Sequence, residues 1–308
     1  MKVFSTFSGI GGFEIAIQRA FDNRPDLRNG SNGLSEDNTD TTQPQVRAEC
    51  IGYSEIDKYA IKVYEKQFPG VKNYGDITKI NADELPDFDC LVGGFPCQAF
   101  SIAGKRKGFE DTRGTLFFDL ARILRAKRPR LFVFENVKGL LSHDGGRTFK
   151  TIIQTIDELG YDLQWQVLNS KNHGVPQNRE RVFIIGHLRG TSRPEVFPFT
   201  STNDSHIKLT TQSVQQQDRT ISPEGISPCL ASNTTFDKWN VDFGEMKIRR
   251  LTPTECERLQ GFPDNWTAQG IDGAISDTQR YKMCGNAVTT NVVQAVFERI
   301  FNSIKEQN

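Results

Sequence analysis

The chain of 308 residues lacks any C-x-x-C pair among its six cysteines, and no histidine pair lies near one of them. That spacing argues against structural zinc and against a secreted disulfide framework. No run of about 18 apolar residues occurs, so no helical membrane span is expected. Net charge is missing too: 38 Lys+Arg balance 38 Asp+Glu, so the whole chain has no overall field to draw a polyanion. Absence of G-x-G-x-x-G disfavours a nicotinamide-dependent dehydrogenase. Neither an internal repeat nor a sustained heptad is found. What is present is globular, with 36% hydrophobic residues, 25% charged residues and 22 Phe, which excludes wholesale disorder. This length suits one large domain or one domain plus a smaller partner. It buries about three quarters of its unfolded surface without disulfide staples. Residues 1–9 read as a strand and turn with no signal peptide, so a cytoplasmic α/β protein is expected.

Strand-like and helix-like patterns alternate over the first 190 residues. Strands are expected at 3–7, 49–53, 89–92, 131–134, 163–168 and 182–185, and helices at 13–21, 58–68, 116–126 and 149–159. Such alternation favours an open Rossmann-like sheet with helices on both faces and a site at the carboxyl ends of its strands. Residues 22–46 are polar with net charge −3 and read as a mobile surface insertion. Residues 189–245 are rich in Thr, Ser, Gln and Pro, yet keep Phe197, Phe199, Phe236 and Trp239 as core candidates. They read as a small irregular or β-rich subdomain. Thr252-Pro253-Thr254-Glu255 is a capping box, and Val292, Val296, Ile300 and Ile304 form one stripe of a last helix.

Several positions carry chemistry-bearing groups. Gly9, Gly11 and Gly12 follow the first strand and open the first helix, where glycine lets a cofactor approach the backbone; a plain turn is the competing reading. Glu55 and Asp57 end the second strand, and Asp76 stands where a third is expected to end. Each is a candidate for cofactor hydroxyls or amines, or a cap. Cys97 leaves a strand end through Gly93-Gly94-Phe95-Pro96, which suits a displayed nucleophile; Cys90 and Cys256 read as small buried hydrophobes. Glu135 ends a buried apolar run, and a partly desolvated carboxylate suits a proton donor as well as a cap. Arg179 and Arg181 alternate into a strand, so both are expected on one side, gripping an oxygen or forming a rim ion pair. Between Ser101 and Arg130, nine basic residues face three acids, which reads as an anion-binding face or a solvated flank.

Taken in order, these stretches resemble the cytosine-5 DNA methyltransferase family. The resemblance rests on residues 7–13, 55–57, 75–77, 93–101, 113–117, 135–137, 177–181, 249–261 and 285–288. It implies a Rossmann-like, S-adenosylmethionine-dependent methyltransferase sheet with a smaller, irregular or β-rich target-recognition domain. The implied division is a catalytic domain at 1–188, a recognition domain at 189–283 and a returning helix at 284–308.

The family's chemistry implies that a cytosine is flipped out of double-stranded DNA. Cys97 would attack its carbon-6, Glu135 would serve ring nitrogen-3, and Arg181, supported by Arg179, would hold the carbonyl oxygen. S-adenosyl-L-methionine would sit against Phe7, Gly9, Ile10, Gly11 and Gly12. Glu55 would take the ribose and Asp76 the adenine amine, with Ile56, Ile77, Pro96, Leu116, Asn286 and Val288 completing the pocket. Ser101, Lys105 and Lys107 would meet DNA through a mobile loop, Gln216 would fill the gap left by the flipped base, and Leu230 lies in an element where Cys229 replaces the family's threonine. Met283 stands where the family usually has Gln. No metal is expected. The resemblance further implies a monomer in the nucleoid, with a cognate restriction endonuclease as a possible partner. A transfer RNA cytosine-5 methyltransferase and an inactive DNA-binding homologue are the alternatives.

Overall fold

The computed structural model describes residues 1–24, 48–96, 116–191, 195–199, 220–221, 227–228, 240–243 and 246–305. The expected insertion at 22–46 falls almost wholly outside them. A six-stranded sheet organises the molecule: β1 (Lys2–Thr6), β2 (Glu49–Ser54), β3 (Cys90–Gly94), β4 (Leu131–Val137), β5 (Tyr161–Asn169) and β6 (Glu180–Leu188). Their spatial order is β2-β1-β3-β4-β6-β5. Pairings among β2, β1, β3 and β4 are parallel, while β6 runs antiparallel to both β4 and β5. From β1 the chain moves first outward to β2 and later to β3 on the other side. The crevice at the carboxyl ends of β1 and β3 is therefore the topological switch point, where ligands bind in open α/β sheets.

Strand alternation distributes the core. On β4, Phe132 and Phe134 face α3 (Leu116–Lys127) and α4 (Arg147–Glu158), while Leu131 and Val133 face α1 (Gly12–Asp22). The last long helix, α7 (Thr290–Lys305), lays Val292, Val296 and Ile300 against that second face beside α1. A central strand buried on both faces is expected to be continuously apolar, as 131–134 is. Gly75-Asp76-Ile77 forms no strand end, because Tyr53 and Asn73 make only an isolated bridge and Asp76 instead caps a short 3-10 turn, Ile77–Lys79.

Residues 251–283, expected as the later part of the recognition domain, pack on the catalytic side. α5 (Pro253–Leu259) carries the expected capping box, and α6 (Asp277–Asn286) follows it. Phe262, Ile275 and Met283 share a core with Ile10 and Ile15 of the first loop and helix and with Ala60 and Val63 of α2 (Lys58–Gln67). Trp266 Nε1 donates to the Ile10 carbonyl at 2.9 Å, tying this segment to the glycine loop. Between 189 and 250 the backbone forms a three-stranded sheet of Thr220–Ile221, Asn240–Phe243 and Met246–Arg250. No described helix is long and apolar enough to cross a membrane.

Candidate active site

The loop after β1 is shaped by backbone conformation. Phe7 (φ 51°), Gly9 (φ 54°) and Gly11 (φ 84°) all occupy the left-handed region, which is costly for Phe7 and easy for glycine. A Cβ on Gly11 would also run into the Phe68 ring. Thr6 Oγ1 donates to the Val92 carbonyl at 2.9 Å and locks the ends of β1 and β3 together. The loop then delivers the chain into α1, whose first amides lack intrahelical partners.

Glu55 sits directly beside this loop. Its Oε2 accepts from the Gly9 amide at 2.8 Å, and its Oε1 accepts from the Ile56 and Asp57 amides, both at 2.8 Å. Asp57 caps α2 through the Tyr59 and Ala60 amides and meets Lys282 Nζ at 2.7 Å. Desolvation pushes the Asp57 carboxyl up, but the Lys282 and amide hydrogen bonds outweigh it and hold the group below the usual carboxylate value. Asp76 is likewise held low, by the Thr78 hydroxyl at 2.8 Å and then the Thr78 amide at 3.0 Å. Ile77 is buried, Ile56 is 72% exposed, Pro96 and Asn286 are exposed, and Leu116 and Val288 are half-buried.

On the other side of the crevice, Glu135 stands opposite Gly94 in the β3–β4 register and pairs with Arg181 Nε at 2.9 Å. Both side chains are largely buried, so the pair is held by geometry in a medium where charge screening is weak. Asn136 Nδ2 donates to the Phe95 carbonyl at 2.8 Å and pins the turn that leads toward Cys97. Residue type alone did not single out Asn136 for this task; its place after Glu135 at a strand end was the available signal. Lys282 was missed because its partner lies 225 residues away.

Arg179 and Arg181 take different partners. Arg179 precedes β6, and its amide folds back onto the Gln177 carbonyl at 3.0 Å, so the two-residue alternation of a strand does not extend to it. Its guanidinium is buried and donates to the Ala287 carbonyl at 2.9 Å and the Gly285 carbonyl at 3.3 Å.

The basic stretch also divides. Arg122 donates to the Ile80 and Ile77 carbonyls at 2.6 and 2.8 Å, and Lys127 donates to the Leu85 carbonyl at 2.8 Å and pairs with Asp87. α3 runs back along the sheet, so Lys127 and Arg128 lie just before β4, at the end opposite the crevice. Of the two readings of the 101–130 stretch, an anion-binding face or a helix flank, Arg122 and Lys127 fit the flank.

Cys97, Ser101, Lys105, Lys107, Gln216, Cys229, Leu230, Phe236 and Trp239 lie outside the described residues. Cys90 and Cys256 are buried, as expected of small hydrophobes. Burial and the nearby Glu14 carboxylate push the Cys50 thiol up to about 12, and burial raises Cys90 and Cys284 as well. Among the described residues, no group of three or more His, Cys, Asp or Glu is placed to hold a metal ion.

Comparison with known proteins places similar chains around this geometry. The family model of C-5 cytosine-specific DNA methylases matches residues 1–235 and 205–302. Type II methyltransferase M1.ScrFI of Lactococcus lactis subsp. cremoris is 41% identical over 84% of this chain and 74% of its own length. Type II methyltransferase M.HhaI of Haemophilus parahaemolyticus is 34% identical over 99% of this chain and 95% of its own. Among solved structures, the S. pombe Dnmt2 methyltransferase superposes with a TM-score of 0.70 at 18% identity, covering 100% of this chain and 99% of that one. A putative DNA modification methyltransferase from an E. coli prophage gives a TM-score of 0.65 at 19% identity, over 99% of each chain. At that identity the likeness concerns the fold.

Proposed function

Since the chain belongs to the C-5 cytosine-specific DNA methylase family and is a DNA cytosine-5 methyltransferase, we propose that Cys97, Glu135 and Arg181 act on the target base and that the glycine loop holds S-adenosylmethionine. The observation that carries the reading is the buried Glu135–Arg181 pair, set across β3 from the glycine loop and beside the turn that leads to Cys97. A carboxylate has about four acceptor directions, and backbone amides use three of those on Glu55. One direction on Oε2 is left for a ribose hydroxyl. A Cβ built on Gly9 would meet nothing within 4 Å, so the loop has room for a ligand against its backbone. These features fit S-adenosylmethionine, with Asp76 serving the adenine amine and Phe7, Ile10, Gly11, Gly12, Ile56, Ile77, Pro96, Leu116, Asn286 and Val288 lining the rest.

Bound S-adenosylmethionine supplies an electrophilic methyl group on a sulfonium. Cys97, as thiolate, forms a bond to carbon-6 of the flipped cytosine and makes carbon-5 nucleophilic. Glu135 donates a proton or hydrogen bond to ring nitrogen-3, where the displaced electron pair accumulates. Arg181 orients Glu135 and holds the base's carbonyl oxygen through its guanidinium. Once carbon-5 carries the methyl, its proton passes to solvent water, the carbon-5–carbon-6 double bond re-forms with Cys97 leaving as thiolate, and the nitrogen-3 proton returns to Glu135. We place target recognition at 189–250, because the segment beyond it packs with α1 and α2. The Type II relatives support a role as the modification half of a restriction–modification system; we further propose that the protein acts as a monomer on nucleoid DNA, alongside a cognate endonuclease.

Transfer of labelled methyl from S-adenosylmethionine to unmethylated plasmid DNA tests the reading, with Cys97→Ser and transfer RNA as controls. Label in DNA that vanishes in the serine variant is expected. Label in RNA alone, or in neither substrate, would overturn it.

A further inference from the structure

We propose that Arg179 is a positioning residue that ties the cofactor side of the site to the base side, by holding the turn at 285–287. The proposal rests on the site assignment above.

A helix end leaves its last carbonyls without intrahelical partners. α6 ends at Asn286, and the Arg179 guanidinium reaches the carbonyls on either side of it, Gly285 at 3.3 Å and Ala287 at 2.9 Å. The two bonded carbonyls bracket Asn286 and stand just before Val288, two residues assigned to the cofactor pocket. Arg179 is 3% exposed, so its charge is desolvated and these oxygens help to compensate it.

Its own backbone is fixed from the other side. The Arg179 amide donates to Asn169 Oδ1 at 3.1 Å, and its carbonyl accepts from the Ser170 amide at 3.0 Å and the Ser170 hydroxyl at 3.3 Å. Two residues further on, Arg181 pairs with Glu135. Gln177, two residues earlier, donates through Nε2 to the Leu259 carbonyl at 2.8 Å and is fully buried. One five-residue strut thus grips α5, the end of α6 and the base-side carboxylate in turn.

A second, independent tie reaches the same helix. Lys282 of α6 pairs with Asp57, whose amide donates to Glu55 Oε1. The end of α6 is therefore held between the ribose acid and the base-side strand. Removing Arg179 frees the turn on one side while leaving the Lys282 tie in place.

The test compares Arg179→Met and Arg179→Lys with the wild type in steady-state methyl transfer, thermal melting, and S-adenosylmethionine affinity with and without DNA. For Met, KM for S-adenosylmethionine is expected to rise about tenfold, with kcat at saturating cofactor within about threefold. Lysine keeps the charge but loses the fork, so a rise of about threefold is expected. The ratio of the two cofactor affinities should move toward one in both variants. A lowered melting temperature alone would accompany any structural role and does not move that ratio. Unchanged KM and affinity ratio in a folded variant, or a fall confined to kcat, would overturn the proposal; the lysine variant decides if the methionine variant does not fold. A wild type that transfers no methyl to DNA would instead defeat the site assignment itself.

Discussion

Glu135 Oε2 stands 3.1 Å from the point where a side chain on Gly94 would begin. A side chain there would crowd the carboxylate that we propose serves the base, since Gly94 and Glu135 sit opposite each other on paired strands. Gly94→Ala is expected to push Glu135 aside by a few tenths of an ångström and to lower kcat about tenfold. The fold should lose no more than about 1–3 kcal/mol, the usual cost of a modest overpacking. Methyl transfer read beside a thermal melt separates the two; unaltered kcat in the folded variant would show that the carboxylate has slack.

Glu14 lies buried in the first turn of α1 and accepts from the Tyr64 hydroxyl at 3.0 Å. Burial raises its carboxyl above the ordinary 4.5 by more than its hydrogen bonds lower it. A folded-state value above the unfolded one means the folded chain holds this proton more tightly. Its stabilising effect is full below about pH 4.5 and is lost as pH rises through the raised value. Glu14→Gln keeps an acceptor for Tyr64 and cannot ionise. Its stability in denaturant unfolding should gain on the wild type as pH increases, by up to about 1.4 kcal/mol per pH unit. Parallel pH profiles for the two proteins would contradict this.

Glu257 is fully buried, 3.1 Å from Arg280 Nη2, and also accepts from the Thr267 amide at 2.9 Å. Arg280→Ala strands a buried carboxylate and should cost about 3 kcal/mol in denaturant unfolding. Replacing both partners, as Glu257→Gln with Arg280→Met, should recover most of that loss, because no charge is then left inside. A double variant no better than the single one would place the cost elsewhere.

The division of the basic stretch predicts a division in salt dependence. The family resemblance implies that Lys105 and Lys107 meet DNA, so their double alanine variant should lower the slope of log affinity against log salt by about 2. Arg125 lies on the part of α3 that runs toward the far end of the sheet, and Arg125→Ala should leave the slope unchanged. A wild-type slope in the double lysine variant would remove those two residues from the phosphate contacts.

Much of the architecture is legible in local pattern. Apolar runs and helical spacing mark all six sheet strands and the four helices between them to within three residues, because strand and helix periodicities are set by neighbouring residues. The same holds for the glycine loop and for Glu135 at a strand end, whose residue types announce a turn and a desolvated carboxylate. Asp76 is a partial exception: its position was visible, but a hydrogen bond to Thr78 turned the expected strand end into a cap.

Other features have no local signature. Arg179 and Arg181 look equivalent two residues apart, yet one bonds carbonyls beyond residue 284 and the other pairs with residue 135. The cations at 122, 127 and 128 look like DNA ligands until the return direction of α3 puts the last two of them before β4. The sequence by itself determined the order of elements, the two buried faces and the chemical groups at the strand ends, since each follows from short-range periodicity and residue chemistry. Only the tertiary structure decided which of those groups meet, because a partner such as Lys282 for Asp57 is chosen by how the sheet is wound and where the chain returns to it.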